Sequence, residues 1–155
     1  MWLFSLLAGC DPQRIAELEE GVATEADVRA RFGEPVAVYD EAAGARTFEY
    51  PRQPEGQRNY MITIGADGKM SALRQVLTPA NFARVVPGLS KDEVRRLLGR
   101  PAKQSVYAIS PNEDWEWRFL DGTQAKVFTV TFDKAGHVVS SVAAADPRDL
   151  HQTGG

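Results

Sequence analysis

The feature that most constrains this chain is that nearly all of it is written twice. Thr24-Glu-Ala-Asp-Val-Arg-Ala-Arg-Phe-Gly-Glu-Pro35 aligns with Ser90-Lys-Asp-Glu-Val-Arg-Arg-Leu-Leu-Gly-Arg-Pro101. Val28/Val94, Arg29/Arg95, Gly33/Gly99 and Pro35/Pro101 are identical, and Thr24/Ser90, Asp27/Glu93 and Phe32/Leu98 agree in kind. The match runs outward. Ile15 and Leu18 pair with Phe82 and Val85, and Gly21-Val22 pairs with Gly88-Leu89. Phe48-Glu49-Tyr50 pairs with Trp115-Glu116-Trp117, Tyr60, Ile62 and Ile64 with Phe128, Val130 and Phe132, and Gly68 with Gly136. Self-similarity at a fixed period must be settled before any single element is read, because it decides the whole architecture.

Each copy has a legible local structure. Asp11-Pro12 and Thr78-Pro79 place a proline at a first helical position, so short helices are expected over 12–20 and 79–86. Ser90-x-x-Glu93 is a capping box and Thr24-x-x-Asp27 a weaker version of it. Val94, Leu97 and Leu98 give the following helix an apolar stripe, whereas Arg31 interrupts the stripe of the first copy. Gly33 and Gly99 end these helices, and Pro35 and Pro101 prevent their continuation. The remainder alternates with period two, which predicts strands at 36–40, 45–51, 59–66, 69–77, 102–109, 113–120, 126–133 and 137–144. Asp67-Gly68 is a hairpin signal, and Ala135-Gly136 sits at the equivalent turn. The expected fold is α+β. Two tandem helix-helix-four-strand repeats, 10–77 and 78–145, each carry an antiparallel sheet covered on one face by short helices. A polar tail, 146–155, is expected to fray.

Composition narrows the function. The chain has 155 residues with Lys plus Arg at 18 against Asp plus Glu at 21, a net charge of −3. That balance argues against a nucleic-acid binder. One cysteine leaves no internal disulfide and no Cys-rich zinc site. His137 follows a turn glycine and is read as a surface residue, and His151 lies in the tail. Carboxylates are scattered and there is no Gly-rich phosphate loop, so we expect no enzyme, no cofactor and no metal.

The first ten residues, Met-Trp-Leu-Phe-Ser-Leu-Leu-Ala-Gly-Cys, are too short an apolar run for a membrane span but fit the core of a signal peptide. Leu7-Ala8-Gly9-Cys10 resembles the bacterial lipobox, which is cleaved before a cysteine that then takes up lipid. On this reading residues 1–9 are a signal-peptide remnant and Cys10 is the lipidation site. The other reading is a short buried N-terminal segment with an ordinary core cysteine. The first basic residue, Arg14, follows the cysteine, so the native start is expected upstream of Met1. The lipobox resemblance implies at least two acyl chains on Cys10, enough for a stable anchor. The outer membrane is favoured. Asp11 resembles an inner-membrane retention signal, which keeps the inner membrane open.

The two strand parities propose two faces. Trp115, Trp117, Phe119, Phe48 and Tyr50 share a parity with Phe128, Val130 and Phe132 and are read as core under the helices, with a partner-gripping aromatic patch as the alternative. Thr47, Glu49, Glu116, Arg118, Thr129 and Thr131 have the opposite parity and are read as a solvated sheet surface and candidate protein-binding face. Arg29 and Arg95 recur and are read as surface helix residues.

Taken together, Gly88-Leu89-Ser90, Val94, Leu98-Gly99-Arg100-Pro101 and Trp115-Glu116-Trp117, echoed by Gly21-Val22, Thr24, Val28, Phe32-Gly33-Glu34-Pro35 and Phe48-Glu49-Tyr50, resemble the SmpA/OmlA/BamE family. Its members are small bacterial lipoproteins, and the named ones attach to the β-barrel assembly machinery and support outer-membrane integrity. The tandem form resembles the β-lactamase inhibitory protein architecture, in which two units form one long curved sheet that grips a partner. The resemblance implies a membrane-anchored periplasmic scaffold or adaptor that binds an envelope protein, the β-barrel assembly machinery among the candidates. The alternative is an inhibitor or sensor that binds a periplasmic enzyme or ligand across its sheet.

Overall fold

The computed structural model describes residues 18–149. Cys10, Asp11, the expected helix up to residue 17 and His151 lie outside the described residues. Residues 18 and 19 are irregular and residue 20 is in a turn. In chain order the elements are α1 (Glu25–Phe32), β1 (Ala37–Asp40), a 3-10 turn (Ala42–Gly44), β2 (Arg46–Pro51), β3 (Asn59–Ile64) and β4 (Met70–Gln75). There follow α2 (Pro79–Phe82), α3 (Lys91–Leu98), β5 (Lys103–Val106), β6 (Glu113–Asp121), β7 (Gln124–Phe132) and β8 (Val138–Ala145). The strands form two four-stranded ladders, β1-β2-β3-β4 and β5-β6-β7-β8. The fold is α+β, as expected, though the hydrogen bonding describes two sheets where the architecture it resembles implies one.

The helix boundaries follow from their caps. Thr24 Oγ1 accepts from the Asp27 amide while the Asp27 carboxylate accepts from the Thr24 amide, and Ser90 and Glu93 do the same. Two orphan donors are satisfied at each start. Gly33 and Gly99 stop α1 and α3 at φ of +81° and +78°, a region costly for any residue with a Cβ. The helix expected over 79–86 is a single turn. Beyond Phe82 the Arg84 and Val85 amides turn back to Asn81 and Phe82, i→i−3 bonds that tighten the chain. Pro87 then disfavours a helical Val86. Strand β5 stops at Val106, short of the expected 109.

The same bonds recur at equivalent places in the two halves. The Glu25 amide donates to the Gly68 carbonyl at 3.0 Å and the Lys91 amide to Gly136 at 3.2 Å. The Gly21 amide donates to Met70 and the Gly88 amide to Val138; the Met70 amide returns a bond to Ala23 and that of Val138 to Leu89. In each half a helix start is thus tied to a hairpin turn.

The chain divides into two compact units. Of the described residues, one holds 18–48 together with Ile62–Leu73, and the other holds Glu49–Met61 with 74–149. Val28, Phe48, Ile62, Ile64 and Met70 are buried in the first. The core of the second joins Phe82, Val94 and Leu98 to Trp115, Trp117, Phe119, Phe128, Val130 and Phe132. Phe82 stacks on Phe128 with ring centres 4.1 Å apart and meets Phe119 edge-on at 4.7 Å. The aromatic parity is therefore core. Among the described residues no helix is long and apolar enough to cross a membrane.

Candidate functional site

The second sheet presents the ladder from which a site can be built. In the β6–β7 pairing Asp114 lies opposite Thr131, Glu116 opposite Thr129 and Arg118 opposite Val127. These residues share the face away from Trp115 and Trp117, because successive side chains alternate. Thr131 donates its hydroxyl to Asp114 Oδ1 at 2.7 Å, and the Tyr107 hydroxyl donates to Asp114 Oδ2 at 3.0 Å. That bond and the charge of Asp114 raise the Tyr107 pKa and keep the phenol protonated. Asp114, Glu116, Thr129 and Thr131 thus come together as an acidic, hydroxyl-rich patch. It can accept hydrogen bonds and attract cationic groups.

Two of the proposed face residues stand elsewhere. Thr47 belongs to the first unit, half-buried, its hydroxyl 3.3 Å from that of Thr63. Glu49 is 0% exposed, which corrects the expectation of a solvated surface. Its two oxygens accept from Arg95 Nε at 3.2 Å and Arg95 Nη2 at 3.0 Å, a fork matched to a carboxylate. Arg95 is correspondingly a structural partner and more than a surface residue. Late in β2 and early in β3 both strand parities are buried, since Glu49 and Tyr50 are buried, and so are Tyr60 and Met61. Alternation alone assigns one parity to water and fails where a sheet is covered twice.

Arg118 is also held. Its side chain is 13% exposed, and Nε donates to Asp146 Oδ2 at 2.8 Å while Nη1 donates to the Pro54 carbonyl at 3.1 Å. Past the start of β5, where Lys103 faces Glu116, the Gln53 side-chain amide takes over the ladder. Gln53 Nε2 donates to the Arg118 carbonyl at 2.8 Å and Gln53 Oε1 accepts from the Arg118 amide at 2.9 Å. Asp146 was expected in a frayed tail and is instead 1% exposed. Burial alone raises its carboxyl, yet the Arg118 guanidinium, the Arg148 amide and the charges of both arginines together hold it below the ordinary carboxylate value. On the core side, Lys91 pairs with Glu113, which also accepts from Trp115 Nε1 at 3.0 Å. The lysine bond first, then the indole bond, lower the Glu113 pKa.

The C-terminus of α3 fixes this sheet beneath it. Four consecutive carbonyls, two in the last turn of α3 and two just past it, each find a side-chain donor. Asn81 Nδ2 serves Leu97 at 2.7 Å, Asn59 Nδ2 serves Leu98 at 2.8 Å and Arg100 at 3.0 Å, and Trp117 Nε1 serves Gly99 at 3.0 Å. Nothing in the local pattern marks Asn59, Asn81, Gln53 or Asp146, because their partners lie far away in sequence.

Residues 75–141 match the family model of the outer membrane protein assembly factor BamE domain, a span that includes α2, α3, β5, β6 and β7. No curated protein matches the sequence. Among solved structures, a chain assigned as the osmotically inducible lipoprotein OsmE is 25% identical, over 46% of this chain and 75% of its own, at a TM-score of 0.39. A DUF4309 family protein from Bacillus subtilis is 18% identical over 87% and 86%, at 0.36. A chain assigned as a β-lactamase inhibitor protein from Streptococcus mutans is 12% identical over 79% and 82%, at 0.38.

Proposed function

With residues 75–141 a BamE domain, we propose that the chain is an envelope lipoprotein of the periplasmic side, anchored through Cys10, that binds another envelope protein in outer-membrane assembly or integrity. The domain match carries this reading. The recurrent bonds at Glu25/Gly68 and Lys91/Gly136 support a second, diverged copy in the first half, so that residues 10–77 and 78–145 are two tandem units. The contact surface is the outer face of the second sheet, where Asp114 and Glu116 suit a partner that presents cationic or hydrogen-bond-donating groups. Charge complementarity of this kind sets encounter and register more than fold stability.

The test is capture from crosslinked envelopes with the full chain. Glu116→Lys should shift stability by only about 0.5 kcal/mol, as is usual for solvated sites, and should lower recovery of outer-membrane assembly components. Unchanged recovery with a reversed charge would remove this face from the proposal.

A further inference from the structure

The edge strand β8 carries few of the protections usual for a sheet edge, a register shift opposite Thr131 and Phe132 being one. Its eight residues, Val138–Ala145, hold no charge and no proline, and all but Val138 are exposed. The Asp146 amide donates toward β7, to the Ala125 carbonyl at 3.0 Å. Antiparallel alternation then turns the backbone groups of Ala145, Ala143 and Ser141 the other way. On that side no strand lies among the described residues.

Beside this edge runs a groove of about 370 Å³ lined by Phe82, Phe119, Phe128, Ala83 and Ala143, with the Lys126–Asp121 ion pair along it. It exists because α2 is one turn long and Ser141 and Ala143 are small. Registers of Val130 with Ser141 and Phe128 with Ala143 put those two residues on the aromatic face, so the groove follows the side-chain period of the edge.

We propose that β8 receives an extended strand from a partner, whose alternate residues are large and apolar and enter this groove. The mode joins main-chain bonds along an edge to pockets for every second side chain. A second copy of this chain fits poorly. Antiparallel pairing of two β8 edges would present only Ser141, Ala143 and Ala145 to the groove, too small to fill it. The site is distinct from the outer face carrying Glu116, so the two readings fail separately.

The test uses the lipid-free full chain, Cys10→Ser, and a fluorescent synthetic peptide that alternates Thr with Leu and Phe. Binding should be saturable and should slow amide exchange at Ser141, Ala143 and Ala145. A peptide of the same composition with the alternation broken should bind at least about tenfold more weakly. Ala143→Pro removes one outward donor and should weaken binding about tenfold, the worth of one such bond. Ala83→Glu, which puts a charge in the groove and leaves β8 intact, should do the same and decides the matter if Ala143→Pro unfolds. Equal binding of both peptides, unchanged exchange at the three amides, or full binding by Ala83→Glu would overturn the proposal. So would a dimer in sedimentation that Ala143→Pro abolishes, since β8 would then serve self-association.

Discussion

Glu49 and Trp117 show how two neighbouring kinds of burial differ in energy. Trp117 is fully buried and its one polar atom reaches the Gly99 carbonyl, so it combines apolar area with a helix-end hydrogen bond. Trp117→Ala should cost roughly 3–5 kcal/mol through the cavity it leaves. Thermal or urea unfolding measures this, and a wild-type melting curve would show that the aromatic row is not core. Glu49 is buried as a charge, which water no longer stabilises, and depends on the Arg95 fork. Arg95→Met should therefore destabilise by about 3 kcal/mol, because it takes a two-bond cationic partner from a buried carboxylate. Glu49→Gln added to Arg95→Met should recover part of that loss. Equal unfolding midpoints for the single and double variants would rule out the buried carboxylate as the cause.

At the scale of elements, the segment Gln53–Pro54 is held to β6 by the Gln53 amide and by Arg118, and Arg118 in turn holds Asp146 past the end of β8. The carboxyl of Asp146 titrates lower in the folded chain than in the unfolded one. Its contribution is complete above the ordinary Asp value, about 4, and is lost as pH falls through the folded value. Urea midpoints should thus fall on acidification below about pH 4 more steeply in the wild type than in Asp146→Asn, which lacks this carboxyl. Parallel curves for the two proteins would mean that the ion pair adds nothing. The helices illustrate the opposite situation, since their limits rest on caps within three residues of each end, and α1 and α3 start and stop where Thr24, Ser90, Gly33 and Gly99 dictate.

For the molecule as a whole, the central expectation is attachment. Cys10→Ser should move the protein from membranes to the soluble periplasm, because two or more acyl chains are what makes such an anchor stable. Fractionation of cells expressing both forms from the native start, with fatty-acid labelling, checks it. A wild type that takes up no label would leave Cys10 without this role. Anchoring and partner capture are separate properties, and the Cys10→Ser chain should retain the patch of Asp114, Glu116, Thr129 and Thr131.

What the amino-acid sequence by itself determined is everything that acts over a few residues. The caps, the glycine stops, the hairpin turns at Gly68 and Gly136 and the inward parity of Trp115, Trp117 and Phe119 could all be read, because period and turn chemistry are local. That Glu116, Thr129 and Thr131 share a face was legible too, since paired strands of matching parity must share one, whereas Asp114 was added by the structure. The tertiary structure alone decided the fates of Glu49, Arg118, Gln53, Asn59 and Asp146. Their partners stand 28 to 65 residues away in the chain. No periodicity records which second layer will cover a strand, and a polar residue on the outward parity looks the same whether water or an arginine waits for it.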